Sequence, residues 1–257
     1  MKQADLKQVD FLASDGRAVI VAIDHAMYSW PCAGLEDRAS VLRQVSAAGA
    51  DAIIASYGTI RDLRPHFGKA KPILKLDNTS ITVGTSYAIT EYLLSWTIED
   101  AKRLGVGTVL TYIQMGAPFE LEALRAAGRL AADCDREGLT YLCEIMPIEC
   151  ERYKDAAAPE AITSACRAGA EIGGHAIKTT MPNPPAAMPT AAACGVPVIL
   201  AGGAIAGDRT QLLKDVRTAM DGGAAGVAFG RNVWGSPDPA AMVKSLVEIV
   251  HAPKGRA

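Results

Sequence analysis

Short apolar runs rich in β-branched residues alternate along the chain with longer amphipathic stretches. Eight such runs stand out: AVIVAID at 18–24, DAIIAS at 51–56, PILKLD at 72–77, GTVLTYI at 107–113, TYLCEIM at 140–146, HAIKTT at 175–180, PVILAG at 197–202 and AGVAFG at 225–230. Their apolar positions are nearly continuous, the pattern of strands covered on both faces in a parallel sheet. The intervening stretches LEDRASVLRQVSAAG (35–49) and PFELEALRAAGRLAADCDREG (118–138) carry helical periodicity. The second ends at Gly138, where a left-handed cap stops a helix. The tripeptides AGA (48–50), LGV (104–106), CGV (194–196) and GGA (222–224) give the same signal just before a strand. Eight such units without a linker or a break in composition predict a single (β/α)8 TIM barrel domain over residues 1–257, a fold that takes roughly 250 residues. An open doubly wound sheet is the rival, but it usually needs fewer strands and no GxGxxG follows the first run. The segment from Asn78 to Ser95 fits no simple helix and reads as an elaborated loop.

Charge and composition narrow the class of partner. The 26 Lys+Arg against 28 Asp+Glu leave a net charge of −2, which argues against a nucleic-acid binder. No apolar run reaches the roughly 18 residues of a membrane span, and the stretch MKQADLKQVDFLASDG lacks the apolar centre of a secretory signal. A cytoplasmic protein with no membrane or nucleic-acid partner is the default expectation. The six cysteines form no CxxC pair and the four histidines are isolated, so no metal is expected.

In this barrel the chemistry belongs at the C-terminal ends of the strands. The polar residues that end the apolar runs are Asp24 and His25, Lys75 and Asp77, Tyr112 and Gln114, Glu144, then Lys178 with Thr179 and Thr180. Alternation puts Ile20, Ala22 and Asp24 on one face of their strand, and Ala176, Lys178 and Thr180 on one face of theirs. A lysine inside the barrel must find a partner or lose its proton. Two readings of Lys178 follow. It pairs with Asp24 or Glu144 in a structural polar layer, or a second cation such as Lys75 lowers its pKa and makes it a nucleophile for carbonyls. Loops after the seventh and eighth strands of such barrels often hold phosphate on backbone N–H groups. Here they read AGGAIAG (201–207) and FGRNVWG (229–235), with Gly202, Gly203 and Gly230 for close backbone approach and Arg231 as a charged fork.

Taken together, HAIKTT around Lys178, LAGGAIAG around Gly202, AAGVAFGRNVWGSPDPAAMVKSL near the C-terminus and AIDHA at 22–26 resemble the archaeal-type class I aldolases of the DeoC/FbaB/LacD group. The likeness runs from about residue 15 to residue 251. It implies an enzyme that makes or breaks a C–C bond in a phosphorylated ketose through a Schiff base on Lys178. It further implies that Asp24 assists proton transfer, that phosphate sits on Gly202, Gly203, Gly230 and Arg231, and that no cofactor takes part because the protonated imine does the polarising. A homo-oligomer, and as partners a small phosphorylated ketose and an aldehyde, follow from the same likeness. His25, Lys75, Asp77 and Tyr112 are expected to contact substrate.

Two departures stand out. Ala26 replaces the Gly of the group's Asp-His-Gly motif, and Met146, before Pro147, stands where these aldolases often carry a proton-transferring Tyr. Glu144, two residues earlier on the same face, is the expected replacement, with Tyr112 and Tyr153 as further candidates. Fructose-bisphosphate cleavage thereby loses weight to a biosynthetic reaction such as joining a ketose phosphate to aspartate semialdehyde. A thiolase or isomerase on the same lysine, and a non-catalytic phosphate-ester-binding barrel, are the remaining alternatives.

Overall fold

A computed structural model describes residues 9–27, 29–78, 82–83 and 91–253. Its centre is a closed barrel of eight parallel strands: β1 (Ala18–Ala22), β2 (Ala52–Ala55), β3 (Lys71–Lys75), β4 (Thr108–Met115), β5 (Thr140–Pro147), β6 (Ala176–Thr180), β7 (Val198–Ala201) and β8 (Gly226–Phe229). Each strand pairs with its sequence neighbours, and β8 closes on β1 with Ala18 opposite Gly226. All eight predicted runs are strands. They are buried because each has two cores to serve. Ala18, Ile20, Ala22, Ala52, Ile54, Ile73, Leu110, Leu142, Ala176, Ile199 and Ala228 fill the interior, where Val9 and Phe11 join them from the chain ahead of β1. The alternate positions, such as Val19, Val21, Ile53, Leu74, Val109, Ile145 and Leu200, pack outward against the helices.

The larger helices are α1 (Arg38–Ala47), α2 (Tyr57–Leu63), α3 (Ile98–Arg103), α4 (Glu120–Glu137), α5 (Pro159–Ile172), α6 (Met188–Ala192), α7 (Arg209–Asp221), α8 (Arg231–Trp234) and α9 (Pro239–Val250). Local chemistry sets their ends. Asp37, Asp208 and Asp238 each accept a backbone N–H of the first turn, and Thr97 with Asp100 forms a capping box on α3. Gly138 caps α4 at φ 75°, as expected, and Gly49, Gly105, Gly195 and Gly223 also have positive φ. Within 78–95, Asp77–Asn78 pairs antiparallel with Leu93–Leu94, while Thr82–Val83 pairs with Ser29–Trp30. The rest of that expected loop lies outside the described residues, as do the ends of the expected 1–257 domain and most of the N-terminal stretch. Among the described residues no helix is long and apolar enough to cross a membrane.

The chain's last helix is tied under the barrel by charge. Arg17 Nη1 donates to the carbonyls of Val250 and Ala252. His251 bridges Asp15 at 2.7 Å and Asp51 at 3.0 Å. The Asp51 hydrogen bond, working against burial and helped by Asp15, raises the imidazole from 6.5 to about 9. A raised folded-state value means that this contribution is complete below about pH 6.5 and is lost as pH rises through about 9. The denaturation midpoint is therefore expected to fall across that interval, and His251→Gln is expected to flatten the fall. An unchanged slope in the variant would remove His251 as its source.

Candidate active site

At the C-terminal end of the barrel the strands open on a cavity of about 200 Å³. The room comes from small residues: Ala22, Ala201 and Ala228 form part of its wall. Into it project three side chains from adjacent strands in one row. Tyr112 on β4 is in register with Glu144 on β5, and Glu144 with Lys178 on β6. Lys178 is only 6% exposed, and its Nζ donates to Glu144 Oε1 at 2.5 Å. Of the two partners the sequence left open for Lys178, the hydrogen-bonded one is Glu144.

A second ion pair is buried in the same wall. Lys75 donates to Asp77 Oδ1 at 2.7 Å, and Asp77 Oδ2 accepts the Tyr112 backbone N–H. Burial pulls the Lys75 ammonium down, but Asp77, Glu144 and Asp24 outweigh it and hold it above the ordinary lysine value. Lys75 is thus a fixed cation lining the same cavity as Lys178, and its Nζ lies 5.5 Å from the centroid of the Tyr112 ring. Burial, reinforced by Glu144, pushes the Tyr112 phenol up to about 12, so it stays protonated at neutral pH. Gln114 Nε2 donates to the Tyr112 hydroxyl at 3.2 Å.

Across the cavity, burial pushes His25 down to about 4 despite Asp24, leaving a neutral imidazole. Its ring stands edge-on to Trp234. Asp24 departs from the expected placement. β1 ends at Ala22, and Asp24 opens a 3-10 turn (Asp24–Met27), so strand alternation no longer aims its side chain. It is 3% exposed and off the cavity wall, and it acts on Lys75 and His25 through its charge. Its Oδ1 lies 3.6 Å from His25 Nδ1 and accepts no hydrogen bond among the described residues.

The two glycine loops meet beside His25, and Gly202, Gly203, Gly230 and Arg231 all line the cavity. A Cβ at Gly230 would stand 2.6 Å from the His25 ring and 2.8 Å from the Ala22 carbonyl oxygen, so only glycine lets the backbone approach here. Trp234 Nε1 donates to the same Ala22 carbonyl at 3.0 Å and packs α8 on the barrel, as its place after GRN implies.

Asn232 went unnoticed in the sequence. Buried behind Arg231, it donates to the carbonyls of Gly202 and Ala204 and accepts the Ala206 N–H, each at 2.8 Å. It fixes one loop to the other, but no local spacing signals a bond reaching 26 to 30 residues back. Asn78, Glu91, Tyr92, Gln114, Phe119, Met146 and Thr180 complete the wall. Tyr92 and Glu91 follow the irregular segment, where no periodicity aims a side chain.

Other candidates fall away. Tyr153 packs on Gly116 and under Arg152, off the cavity wall. His175 accepts the Tyr141 N–H and pairs with Asp135, a structural role. Cys143 packs outward from β5, as alternation implies. Among the described residues no group of three His, Cys, Asp or Glu could hold a metal ion.

The chain is similar to known proteins along most of its length. A family model described as DeoC/LacD family aldolase matches residues 18–236. A 2-amino-3,7-dideoxy-D-threo-hept-6-ulosonate synthase of Halobacterium salinarum is 34% identical over 93% of this chain and 89% of its own. A 2-amino-4,5-dihydroxy-6-oxo-7-(phosphonooxy)heptanoate synthase of Streptomyces griseus is 29% identical over 91% of this chain and 85% of its own. Among solved structures, a Schiff-base-forming fructose-1,6-bisphosphate aldolase superposes with TM-score 0.84 at 27% identity, covering 94% of this chain and 97% of that one. An archaeal fructose-1,6-bisphosphate aldolase, with its catalytic lysine bound to the carbinolamine intermediate, gives TM-score 0.83 at 26% identity over 94% and 96% of the two chains.

Proposed function

The chain belongs to the DeoC/LacD family of aldolases, and from that premise we propose that Lys178 forms a Schiff base with a phosphorylated ketose and uses it to make or break a C–C bond. The observation that carries this reading is the buried lysine at hydrogen-bond distance from a carboxylate, within one cavity whose other wall is the glycine-lined loop pair.

For Lys178 to attack, a proton must leave Nζ, and Glu144 Oε1 is the acceptor within reach. The amine adds to the ketone carbon, and the proton held by Glu144 returns to the oxygen that leaves as water. The resulting iminium is an electron sink. Glu144, again a carboxylate, removes the proton on the adjacent carbon to give an enamine, which attacks the acceptor aldehyde. The fixed cation Lys75 stabilises negative charge that develops in the cavity it shares with Lys178. Asp24 sets this field through Lys75 and His25. Backbone N–H groups at Gly202, Gly203, Gly230 and Arg231, with the Arg231 guanidinium, hold the phosphate, so binding energy far from the reacting carbon positions it.

The relatives favour a synthase over a fructose-bisphosphate aldolase. The Streptomyces protein is named for a product that is an aminated seven-carbon chain ending in a phosphate. Cutting it between its two carbinol carbons leaves a three-carbon ketose phosphate and a four-carbon amino aldehyde, the skeleton of aspartate semialdehyde. Glu91 on the cavity wall offers a carboxylate to an acceptor's ammonium group. Met146 removes a proton carrier at the one position where fructose-bisphosphate aldolases of this type often have tyrosine.

Borohydride tests the class of chemistry. Activity should be lost irreversibly when the reductant and dihydroxyacetone phosphate are present together, and kept with either alone. Protection from the reductant by every ketose phosphate would contradict the reading. A second expectation concerns the loop staple. Asn232→Ala removes three hydrogen bonds, each worth about 1 kcal/mol, from the cup that holds phosphate. KM for the phosphorylated ketose should rise about 10-fold or more in steady-state kinetics while kcat changes less than about 3-fold. A fall in kcat at constant KM would place the staple's effect on the reacting carbon instead.

A further inference from the structure

Carbon–carbon bond formation leaves a charge that the lysine and its carboxylate do not resolve. When the enamine attacks the aldehyde, the C=C pair becomes the new C–C bond and the carbonyl pair moves onto oxygen, which must gain a proton. Glu144 is committed to Lys178 on one side. Lys75 is tied to Asp77 in a buried ion pair, and giving up its proton would strand that carboxylate. His25 is a neutral imidazole beside Gly230, at the phosphate end of the cavity. Tyr92 lines the cavity but also packs against the outer core, and among the described residues no hydrogen bond orients its buried hydroxyl. Met146 has no proton to give.

Tyr112 meets each requirement that these groups fail. Its side chain is in the lysine row, next to Glu144 across the β4–β5 pair, and it lines the cavity. Gln114 donates to the phenol oxygen, which leaves the phenol's own hydrogen for another acceptor. The Lys75 ammonium by the ring offsets the negative charge the phenol would acquire on giving up its proton.

Resting on the Schiff-base reading above, we propose that Tyr112, held by Gln114, is the catalytic acid that protonates the alkoxide formed when the C–C bond closes, and the base that removes the same hydroxyl proton when the bond is cleaved. In the synthetic direction the proton that Glu144 took from the iminium passes to the phenolate as the phenol proton goes to the alkoxide. The proton lost by the donor carbon therefore ends on the new hydroxyl, no oxidant or reductant is consumed, and both side chains return to their starting state.

Tyr112→Phe separates this step from the earlier ones. Three readouts are taken on the full-length wild type and variant. The first is the borohydride-trapped adduct with dihydroxyacetone phosphate. The second is exchange of the donor's carbon-bound hydrogen with D2O, which reports the enamine. The third is cleavage of the aldol product that the wild type makes from dihydroxyacetone phosphate and aspartate semialdehyde. The variant should keep the adduct and exchange within about 3-fold of wild type, while cleavage falls about 100-fold, the range of a lost acid–base group. Cleavage within 3-fold of wild type, or equal losses in exchange and cleavage, would overturn the assignment and leave the lysine reading standing. Absence of the adduct from the wild type would remove both together.

Discussion

Lys178→Arg is expected to abolish the trapped adduct and to lower turnover by at least about 10⁴-fold. The substitution isolates chemistry from structure. A guanidinium keeps the positive charge beside Glu144, so it does not strand a buried carboxylate, a loss that destabilises proteins by about 3–5 kcal/mol. It cannot deprotonate near neutral pH and so cannot become a nucleophile. The thermal midpoint should therefore move far less than the rate. Residual turnover within about 100-fold of wild type would mean that another amine forms the imine, and Lys75 is the lysine that shares the cavity.

Glu144→Gln is expected to lower kcat by about 10³-fold, while the affinity for a ketose phosphate changes less than about 3-fold. Glutamine keeps the size and a hydrogen-bond acceptor for Lys178 Nζ, but it takes no proton. Two steps suffer together: generation of the free amine, and removal of the proton that yields the enamine. The glycine loops proposed to hold phosphate follow β7 and β8 rather than β5, so anchoring should be spared. Single-turnover kinetics with dihydroxyacetone phosphate should show both adduct formation and hydrogen exchange slowed. Unchanged turnover would reduce Glu144 to a counter-ion and return the pair to the structural reading that the sequence also allowed.

The barrel was legible because each strand serves two cores, which forces the continuous apolar runs, and because the glycines that end helices need backbone that other residues avoid. Lys178 and Glu144 were legible for a related reason. Alternation within a strand is rigid, so a charged residue on the inward face has nowhere to go but the cavity. The same rule failed two residues past the strand. A 3-10 turn begins at Asp24, the parity set by Ile20 and Ala22 no longer applies, and the carboxylate lies behind the wall rather than on it. Asn232 was invisible because its partners lie in a loop joined to it only by the closing of the barrel. Tyr92 and Glu91 reach the site from a segment without periodicity, and the preference for Tyr112 over Tyr153 required knowing which phenol faces the lysine row.

The most direct measurement is peptide mapping by mass spectrometry after borohydride reduction in dihydroxyacetone phosphate. The account predicts the mass of one reduced ketose phosphate on the peptide that carries Lys178, with the Lys75 peptide unmodified. An adduct on Lys75, or C–C turnover with no modified lysine anywhere in the chain, would contradict it.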